Sequence, residues 1–346
     1  MSTPAAGTRL YLRALLQDGA PAACRLVELV ARDAADAVTR TVFPAAELDA
    51  WQRRLPRELR ARAAALRAGL AEPRPWVDRP RIMGILNVTP DSFSDGGEHA
   101  GTESAVAHGL RLVEEGADTV DVGGESTRPG AVPVPVEEEL RRVLPVVEGL
   151  AARDVLVSID TRRARVMREA VVAGARIIND VSALTHDPES LATAAAGAAT
   201  IVLMHMRGEP ATMNLAPGYR HCSLEVFDDL EERVRACVAA GIPRARLIVD
   251  PGLCFAKHEP HNLALLRDLA LFQALGCALL IGVSRKGWTA AIEERWRPRE
   301  RLPSSLAAAQ WSLDRGARIL RVHDVAATRQ MVDAWAALAG LGGGEA

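Results

Sequence analysis

The chain lacks the two features that would direct it into or across a membrane. No apolar run approaches the about 18 residues that a membrane-spanning helix needs, so we expect no such span. The N-terminus has no apolar secretory segment, because Arg9, Arg13 and Asp18 interrupt it. We therefore expect a cytoplasmic protein with no membrane partner.

The chain also lacks an excess of either charge and any closely spaced pair of cysteines. Its formal net charge of -2 gives no reason to expect nucleic acid as a partner. The five cysteines form no CxxC motif and are odd in number, so we interpret them as reduced thiols. GxGxxG, P-loop and GxSxG motifs are absent as well, which excludes the usual dinucleotide, nucleotide and hydrolase signatures.

What the sequence does contain is a short apolar run that recurs eight times between residues 82 and 324. Each run stops at a polar residue or at glycine. Runs this short and rich in Val, Ile and Leu are typical of strands buried on both faces. Most lead into helical apolar spacing, so the pattern predicts an α/β fold, a closed (β/α)8 TIM barrel, with its chemistry at the C-terminal strand ends. The strands are expected near 82–86, 118–122, 155–159, 176–179, 200–204, 246–250, 278–283 and 318–322. The helices are expected near 103–116, 137–152, 162–173, 188–197, 223–240, 261–275, 303–316 and 325–339.

Residues 1–80 do not follow this repeat and are rich in Ala and Arg. No chemical motif occurs among them, so we expect an N-terminal α+β appendage with a packing or oligomerisation role, followed by a barrel over residues 81–346. The appendage pattern predicts strands at 9–15 and 24–30, one or two amphipathic helices within 44–70, and a proline-rich linker over 72–80.

Two loops at the predicted mouth are rich in small residues and hydrogen-bond donors. The first covers residues 87–97 and contains Phe93, and the second covers residues 123–130 and contains Thr127 and Arg128. Glycines allow a backbone to approach a ligand closely, and the Thr and Arg side chains can donate to an anion. Either loop alone could be a plain surface connection. Two of them on neighbouring strands indicate mobile loops that close over a site.

Three acidic or amide side chains, Asp160, Asn179 and Asp250, are expected to face the mouth from three strands. Together they suit a flat heterocycle with an amino-pyrimidinone edge, because carboxylates accept from paired N–H groups and an amide both donates and accepts. A hard-cation site is the competing interpretation, less favoured because the residues come from separate strands. Any one of them alone could instead cap a helix.

Basic side chains follow the last two predicted strands. Lys286 is expected near the carboxylates of the mouth, where it can donate to ring acceptors. Arg321 and His323 are two positions apart, so both point the same way and form, with Asn87 on the neighbouring strand, a donor cluster suited to phosphate. A buried core histidine is the plain alternative for His323. For His205, which has no acidic residue nearby, packing or a position behind the residues that contact the ligand is an equally good interpretation.

The residues at these strand ends resemble those of dihydropteroate synthases. Eight segments in order, spanning about residues 81–340, carry the resemblance: NVTPDSFSDGG (87–97), GGESTRPGA (123–131), SIDT (158–161), IIND (177–180), LMHMRG (203–208), DPG (250–252), SRK (284–286) and RVHDV (321–325). The resemblance implies an enzyme that condenses 6-hydroxymethyl-7,8-dihydropterin pyrophosphate with 4-aminobenzoate, giving 7,8-dihydropteroate and pyrophosphate in folate biosynthesis. It also implies Mg²⁺ as cofactor, inhibition by sulfonamides and a homodimer.

The same resemblance implies a role for each matching residue. The pterin ring would be held by Asp160, Asn179, Asp250, Lys286 and Arg321. The pyrophosphate would be held by Asn87, Thr127, Arg321 and His323, with Asn87 also reaching Mg²⁺. The 4-aminobenzoate would be surrounded by Phe93, Arg128, Pro129, Phe255 and Lys286. The reaction would be a dissociative substitution in which Asp160, Asp250 and Lys286 are the catalytic residues.

The sequence departs from the family pattern at three positions near the aminobenzoate. Gly287 stands where the family has a serine, and the glycine-rich DPGxGFGK segment contains Cys254 and Ala256 in place of glycines. These changes leave open a paralogue that binds pterins without condensing them. A pterin-binding methyltransferase, which would need no aminobenzoate loops, and a structural protein are further alternatives. The complete loops and the inward polar groups argue against both.

Overall fold

The computed structural model describes the chain in nine segments. The described residues are 4, 7–15, 26–72, 76, 78–88, 97–126, 133–209, 212–213 and 218–340, and residues 4 and 76 stand alone. Within these segments, no helix combines the length and the apolar content needed to cross a bilayer.

The segment before residue 72 forms a three-stranded antiparallel sheet followed by two helices. The first two strands were predicted, but the third was not. Its side chains are mostly exposed and only Phe43 is buried, so it carries no apolar run to find in the sequence. The elements are β1 (Arg9–Leu15), β2 (Leu26–Arg32), β3 (Val38–Pro44), α1 (Leu48–Arg54) and α2 (Arg57–Ala71).

Eight parallel strands then close into a barrel, which confirms the predicted (β/α)8 fold. Each strand lies within two residues of its predicted bounds, and the last strand pairs with the first, Arg321 opposite Met83. The barrel strands are β4 (Arg81–Asn87), β5 (Thr119–Gly123), β6 (Val157–Asp160), β7 (Ile177–Asp180), β8 (Thr200–Met204), β9 (Leu247–Asp250), β10 (Ala278–Ile281) and β11 (Ile319–Val322).

Helices alternate with these strands and cover the barrel. One predicted helix, 261–275, is wrong: it is a shorter α-helix, a break at Asp268, and a 3-10 helix Leu269–Leu275. The carboxylate of Asp268 accepts hydrogen bonds from Arg13 and Arg40 of the appendage, so distant residues stabilise this break. The helices are α3 (Gly97–Glu114), α4 (Val136–Ala151), α5 (Ala164–Val172), α6 (Ser190–Ala196), α7 (Cys222–Ala239), α8 (Glu259–Arg267), α9 (Ala290–Arg295), α10 (Leu302–Leu313) and α11 (Val325–Leu338).

The side chains inside the barrel change from apolar to polar along its axis. Two positions beyond the apolar Ile177, Ile248 and Ile319, on the same side of the pleat, the strands carry polar residues instead. These polar residues are Asn179, Asp250 and Arg321. The apolar layer below them is one buried cluster of Met83, Ile177, Val202, Ile248, Ala278, Leu280 and Ile319. The interior of the barrel is therefore filled by apolar side chains at one end. At the other end, where the strands finish, it is lined by polar side chains.

Candidate active site

A cavity of about 1330 Å³ opens at the polar end of the barrel. Its wall is formed by the ends of β4, β6 and β11 and by the segments after β9 and β10. Predicted site residues from widely separated parts of the chain meet in this wall: Asn87, Asp160, Phe255, Lys286, Arg321 and His323. The expected convergence of the strand ends on one pocket is thus seen for these residues.

Arg321 lies at the centre of the polar layer, between two carboxylates. Its Nε donates to Asp121 Oδ2 at 2.6 Å and its Nη2 donates to Asp160 Oδ2 at 2.7 Å. The amide of Asn179 donates to the same Asp121 oxygen at 3.0 Å. Burial opposes the charge on Arg321, but the two carboxylates outweigh burial and raise its pKa. The guanidinium is therefore a fixed cation beside the cavity.

Asp121 is fully buried and was not predicted as a site residue. A signal was available, because an acidic residue inside an otherwise apolar strand, Thr119–Gly123, is rarely buried without a partner. Its Oδ1 has no hydrogen-bond partner among the described residues. That unsatisfied buried oxygen lies behind the cavity wall and adds negative charge beside Arg321.

Burial raises the pKa of both predicted catalytic carboxylates. Burial raises the pKa of Asp160 to about 7, with Asp121 adding to the effect and Arg321 opposing it. Burial also raises the pKa of Asp250, against the opposing charge of Lys286. The Oδ1 of Asp250 accepts from the backbone N–H of Gly252 at 2.8 Å. A ligand with positive charge or N–H donors would favour the ionised form of both groups.

Asn179 and Asp250 are not part of the cavity wall itself. Asn179 acts through its hydrogen bond to Asp121, and Asp250 acts electrostatically on Lys286 and Arg321. Four further predicted residues lie outside the described residues, and their placement stays a prediction: Phe93, Thr127, Arg128 and Pro129.

Lys286 and Phe255 form a second, adjacent part of the wall. The Lys286 ammonium donates to the backbone carbonyl of Leu253 at 3.0 Å and lies 4.8 Å from the centre of the Phe255 ring. Burial lowers the pKa of Lys286, while Asp250 opposes this effect. A cation above an aromatic ring can hold a planar, anionic ligand by charge on one side and by packing on the other.

His323 is positioned by a hydroxyl group, which argues against the plain core interpretation. Ser284 Oγ accepts from the backbone N–H of His323 at 3.1 Å and lies 3.1 Å from its Nδ1. The hydroxyl of Ser284 thus contacts both the backbone and the ring of His323 and fixes the orientation of the imidazole. His323 lies in the cavity wall beside Asn87.

His205 has an acidic partner that was not predicted, but it is buried outside the cavity wall, as the packing interpretation expects. Its Nε2 lies 3.0 Å from Asp229 Oδ2, on α7, and its Nδ1 lies 2.9 Å from Lys257 Nζ. Burial, followed by the charge of Lys257, lowers the pKa of His205 to about 4. Burial also lowers the pKa of Lys257 to about 7. Lys257 was not singled out from the sequence, although it lies in the cavity wall.

The segment after β9 adopts a left-handed backbone at three alternate positions, with φ of 70° at Gly252, 66° at Cys254 and 53° at Ala256. These are the positions at which the DPGxGFGK pattern has glycine. The pattern therefore reflects a backbone requirement, since residues with a Cβ are strained in this region. Only Gly252 retains the residue that this backbone favours.

A closed (β/α)8 barrel with a polar cavity at its C-terminal strand ends defines an enzyme of the TIM-barrel class. The family model described as pterin binding enzyme matches residues 83–323. The chain belongs to this pterin-binding enzyme family.

Individual relatives agree with the family match. The chain is 47% identical to the dihydropteroate synthase of Escherichia coli (strain K12) over 253 residues, which cover 73% of this chain and 89% of that one. The structure of Xanthomonas albilineans dihydropteroate synthase with 4-aminobenzoic acid is similar with a TM-score of 0.71 and 51% identity, over 76% of this chain and 94% of that one. The same enzyme in complex with 7,8-dihydropteroate is similar with a TM-score of 0.68 and 48% identity, over the same shares of both chains.

Proposed function

We propose that this protein is a dihydropteroate synthase, which joins 6-hydroxymethyl-7,8-dihydropterin pyrophosphate to 4-aminobenzoate and releases pyrophosphate. One observation carries the proposal. The carboxylate and guanidinium pair of Asp160 and Arg321 shares a single cavity with the donors Asn87 and His323 and with the cation–aromatic pair of Lys286 and Phe255. The cavity thus offers places for a heterocycle, a diphosphate and an aromatic acid.

The pterin is proposed to bind at the bottom of the cavity. Its amino-pyrimidinone edge would contact Asp160, Asn179 and Asp250, and Arg321 would stack its planar guanidinium on the ring. Because Arg321 pairs directly with Asp160 in this structure, pterin binding has to share or replace that contact. Lys286 would donate to a ring acceptor from the opposite side.

The diphosphate is proposed to lie against Asn87, Arg321 and His323, with Thr127 as a further donor. Cleavage of the carbon–oxygen bond gives both electrons to pyrophosphate and leaves a cationic methylene on the pterin. The ionised carboxylates Asp160 and Asp250 stabilise this cation, which is an electrostatic rather than an acid–base role. Exclusion of water from the closed site protects the cation from capture.

The 4-aminobenzoate is proposed to lie on Phe255 with its carboxylate near Lys286, bordered by Phe93, Arg128 and Pro129. Its neutral amine attacks the methylene and forms the new carbon–nitrogen bond. One N–H proton then leaves to pyrophosphate or to solvent. An aromatic amine is not protonated at neutral pH, so the step needs no strong general base.

Mg²⁺ is proposed as the cofactor, held in part by the amide oxygen of Asn87. The described residues contain no group of three or more His, Cys, Asp or Glu side chains that could hold a metal ion. This donor set fits Mg²⁺ bound mainly through substrate, because that ion retains waters and binds through one or two protein oxygens plus phosphates. When bound, it would neutralise charge on the departing pyrophosphate.

A cytoplasmic homodimer is proposed as the working form. The four described cysteines form no disulfide, which supports a reducing compartment. Trp311 on α10 and Leu338 on α11 are 43% and 87% exposed, which supports contact through the last barrel helices. Sedimentation of the wild type should give a dimer and Trp311→Glu should give a monomer. A monomeric wild type would contradict this.

Pyrophosphate release tests the function most directly. The purified chain is incubated with dihydropterin pyrophosphate and Mg²⁺, with and without 4-aminobenzoate. We expect release that depends on the amine, together with formation of dihydropteroate. Pterin binding without amine-dependent turnover would overturn the proposal and would instead identify a non-catalytic pterin-binding paralogue, which the residues Cys254 and Gly287 favour.

A further inference from the structure

The appendage contacts the barrel at the polar end, close to the proposed aminobenzoate position. The turn between β2 and β3 is ordered by Asp33, whose carboxylate accepts from the backbone N–H groups of Ala35 and Ala37. Asp36, at the tip of the turn, has a left-handed backbone with φ of 68°. This geometry directs both the carbonyl and the carboxylate of Asp36 at the start of α7.

Two residues of the barrel hold this tip. His221 Nε2 lies 2.9 Å from the Asp36 carbonyl oxygen, so the imidazole donates, and Arg220 Nε lies 3.0 Å from the Asp36 carboxylate. Arg220 is largely exposed, and exposed ion pairs contribute little to stability. The hydrogen bond of the half-buried His221 therefore contributes more to holding the segment 218–221 in place.

That segment carries Tyr219, whose ring packs against residues that anchor the aminobenzoate side. The ring centre lies 4.2 Å from the Arg207 guanidinium, 6.0 Å from Lys257 Nζ and 5.0 Å from the ring centre of His261. His261 accepts from the backbone N–H of His258 at the start of α8, immediately after Lys257. Tyr219 thus lies beside Lys257, just before α8, and beside His261, in the first turn of α8.

Lys257 in turn fixes the residue that borders the aminobenzoate. Its ammonium, which is buried, donates to the carbonyl oxygens of Phe255 at 2.9 Å and of His205 at 3.3 Å. The Phe255 ring lies under Lys286 in the cavity wall. A continuous set of contacts therefore runs from the appendage through Tyr219 and Lys257 to Phe255. It does not pass through the carboxylates proposed to hold the pterin.

We infer that Asp36 and His221 are positioning residues through which the N-terminal appendage holds the 4-aminobenzoate side of the active site. The inference rests on the proposed synthase function. It gives residues 1–80 a role in substrate affinity besides packing. Loosening the contact should allow Tyr219 and the start of α8 to move, so that Phe255 is positioned less well while the carboxylates proposed to hold the pterin keep their geometry.

The test is steady-state pyrophosphate release by the full-length chain carrying Asp36→Gly, His221→Leu or both. Glycine removes the carboxylate without adding strain at a left-handed position. For the double variant we expect the KM for 4-aminobenzoate to rise about fivefold or more, equivalent to about 1 kcal/mol. The KM for dihydropterin pyrophosphate and kcat should change by less than about twofold, because the carboxylates proposed to hold the pterin are not in this set of contacts.

Arg40→Ala is the matched control, since it removes an ion pair between the appendage and Asp268, which is not part of this set of contacts. It should lower the melting temperature without changing either KM. An unchanged aminobenzoate KM in the double variant, equal changes in both KM values, or the same change in Arg40→Ala would each overturn the inference. A wild type without amine-dependent turnover would instead refute the proposed function, and the inference with it.

Discussion

Arg321 donates hydrogen bonds to two carboxylates at once, and these two ion pairs determine the distribution of charge in the pocket. Asp121 and Asp160 each accept one of its N–H groups, while Asp121 also accepts from Asn179. A buried charge that loses a partner is costly, because nothing replaces the lost solvation. Asp121 therefore determines where Arg321 points, although it is not part of the cavity wall.

Asp121→Asn tests this arrangement. The amide keeps the shape but removes a charge, so Arg321 is less well held and the bottom of the pocket becomes more positive. We expect kcat/KM for dihydropterin pyrophosphate to fall about 100-fold or more, as breaking a buried pair costs about 3 kcal/mol.

Asp118→Asn is its control, because Asp118 precedes the same strand at the opposite end of the barrel and accepts from the backbone N–H of Ile82. This change should lower stability and leave the kinetics intact. Equal kinetic losses in both variants would show that Asp121 acts only through folding.

Lys257 gives a prediction about pH. Its pKa of about 7 in the folded chain lies below the ordinary value of 10.5, so between these values the unfolded chain binds more protons. Stability from this group therefore rises as the pH rises from 7 toward 10.5. Compared with Lys257→Met, the unfolding constant of the wild type should fall by up to about tenfold per pH unit in this range. Urea unfolding at several pH values measures it, and parallel curves would contradict the assigned shift.

At the scale of elements, the segment after β9 combines a required backbone with unfavourable residues. Cys254 and Ala256 occupy left-handed positions where a Cβ is strained, and Cys254 also reaches the cavity wall. Hydrogen bonds with a neighbouring side chain stabilise this strained backbone. Asn262 accepts from the Cys254 backbone N–H at 2.9 Å and donates to the Lys257 carbonyl. This segment is therefore the part of the site most open to improvement by substitution.

Cys254→Gly should relieve strain and enlarge the pocket beside the aminobenzoate. We expect a gain of about 1 kcal/mol in unfolding free energy, since a non-glycine residue is unfavourable by that order at this conformation. We also expect a lower KM for 4-aminobenzoate and stronger sulfonamide inhibition. Gly197→Ala, in which the added Cβ meets no atom closer than 3.9 Å, is a neutral control for a glycine exchange. Kinetics and inhibition identical to wild type would remove the idea that the thiol narrows the pocket.

The elements also show which structure can be predicted from this sequence. Barrel strands were found because each is a short apolar run, such as residues 200–204, with a sharp polar end. β3 was missed because its exposed side chains carry no such run, and the break at Asp268 was missed because it depends on Arg13 and Arg40 from the appendage. In the active site, the polar residues at the strand ends could be predicted directly from the sequence. Partners such as Asp229 of His205 could not, because only the folded chain brings them together.

At the scale of the whole molecule, appendage and barrel share one hydrophobic core. Buried residues of both parts belong to one continuous cluster. Tyr11 of β1 packs edge-on against Phe227 of α7 at 5.6 Å, and Phe227 contacts Phe272 at 6.1 Å between ring centres. The sequence predicted a linker between two parts, but this packing indicates that the appendage and the barrel unfold together.

Asp228 on α7 is the polar centre of this interface, and it supplies the last prediction. Its carboxylate accepts from Arg9 Nε at 2.7 Å, Arg32 Nη2 at 2.8 Å and the Tyr11 hydroxyl at 2.9 Å. Asp228→Asn removes the charge that two guanidinium groups share, so we expect a loss of about 3 kcal/mol in unfolding free energy.

Asp333→Asn removes an exposed i,i+4 pair with Arg329 and should change the unfolding free energy by less than about 0.5 kcal/mol. Both variants are measured by urea unfolding, followed by circular dichroism and by tryptophan fluorescence. The fluorescence reports on all six tryptophans, among them Trp51 of the appendage and Trp335 of the barrel. Because the two parts share a core, the wild type should unfold in one transition by both probes. If the unfolding free energy of Asp228→Asn is no lower than that of Asp333→Asn, the ion-pair network does not stabilise the interface between the appendage and the barrel. The aromatic packing alone then accounts for that interface.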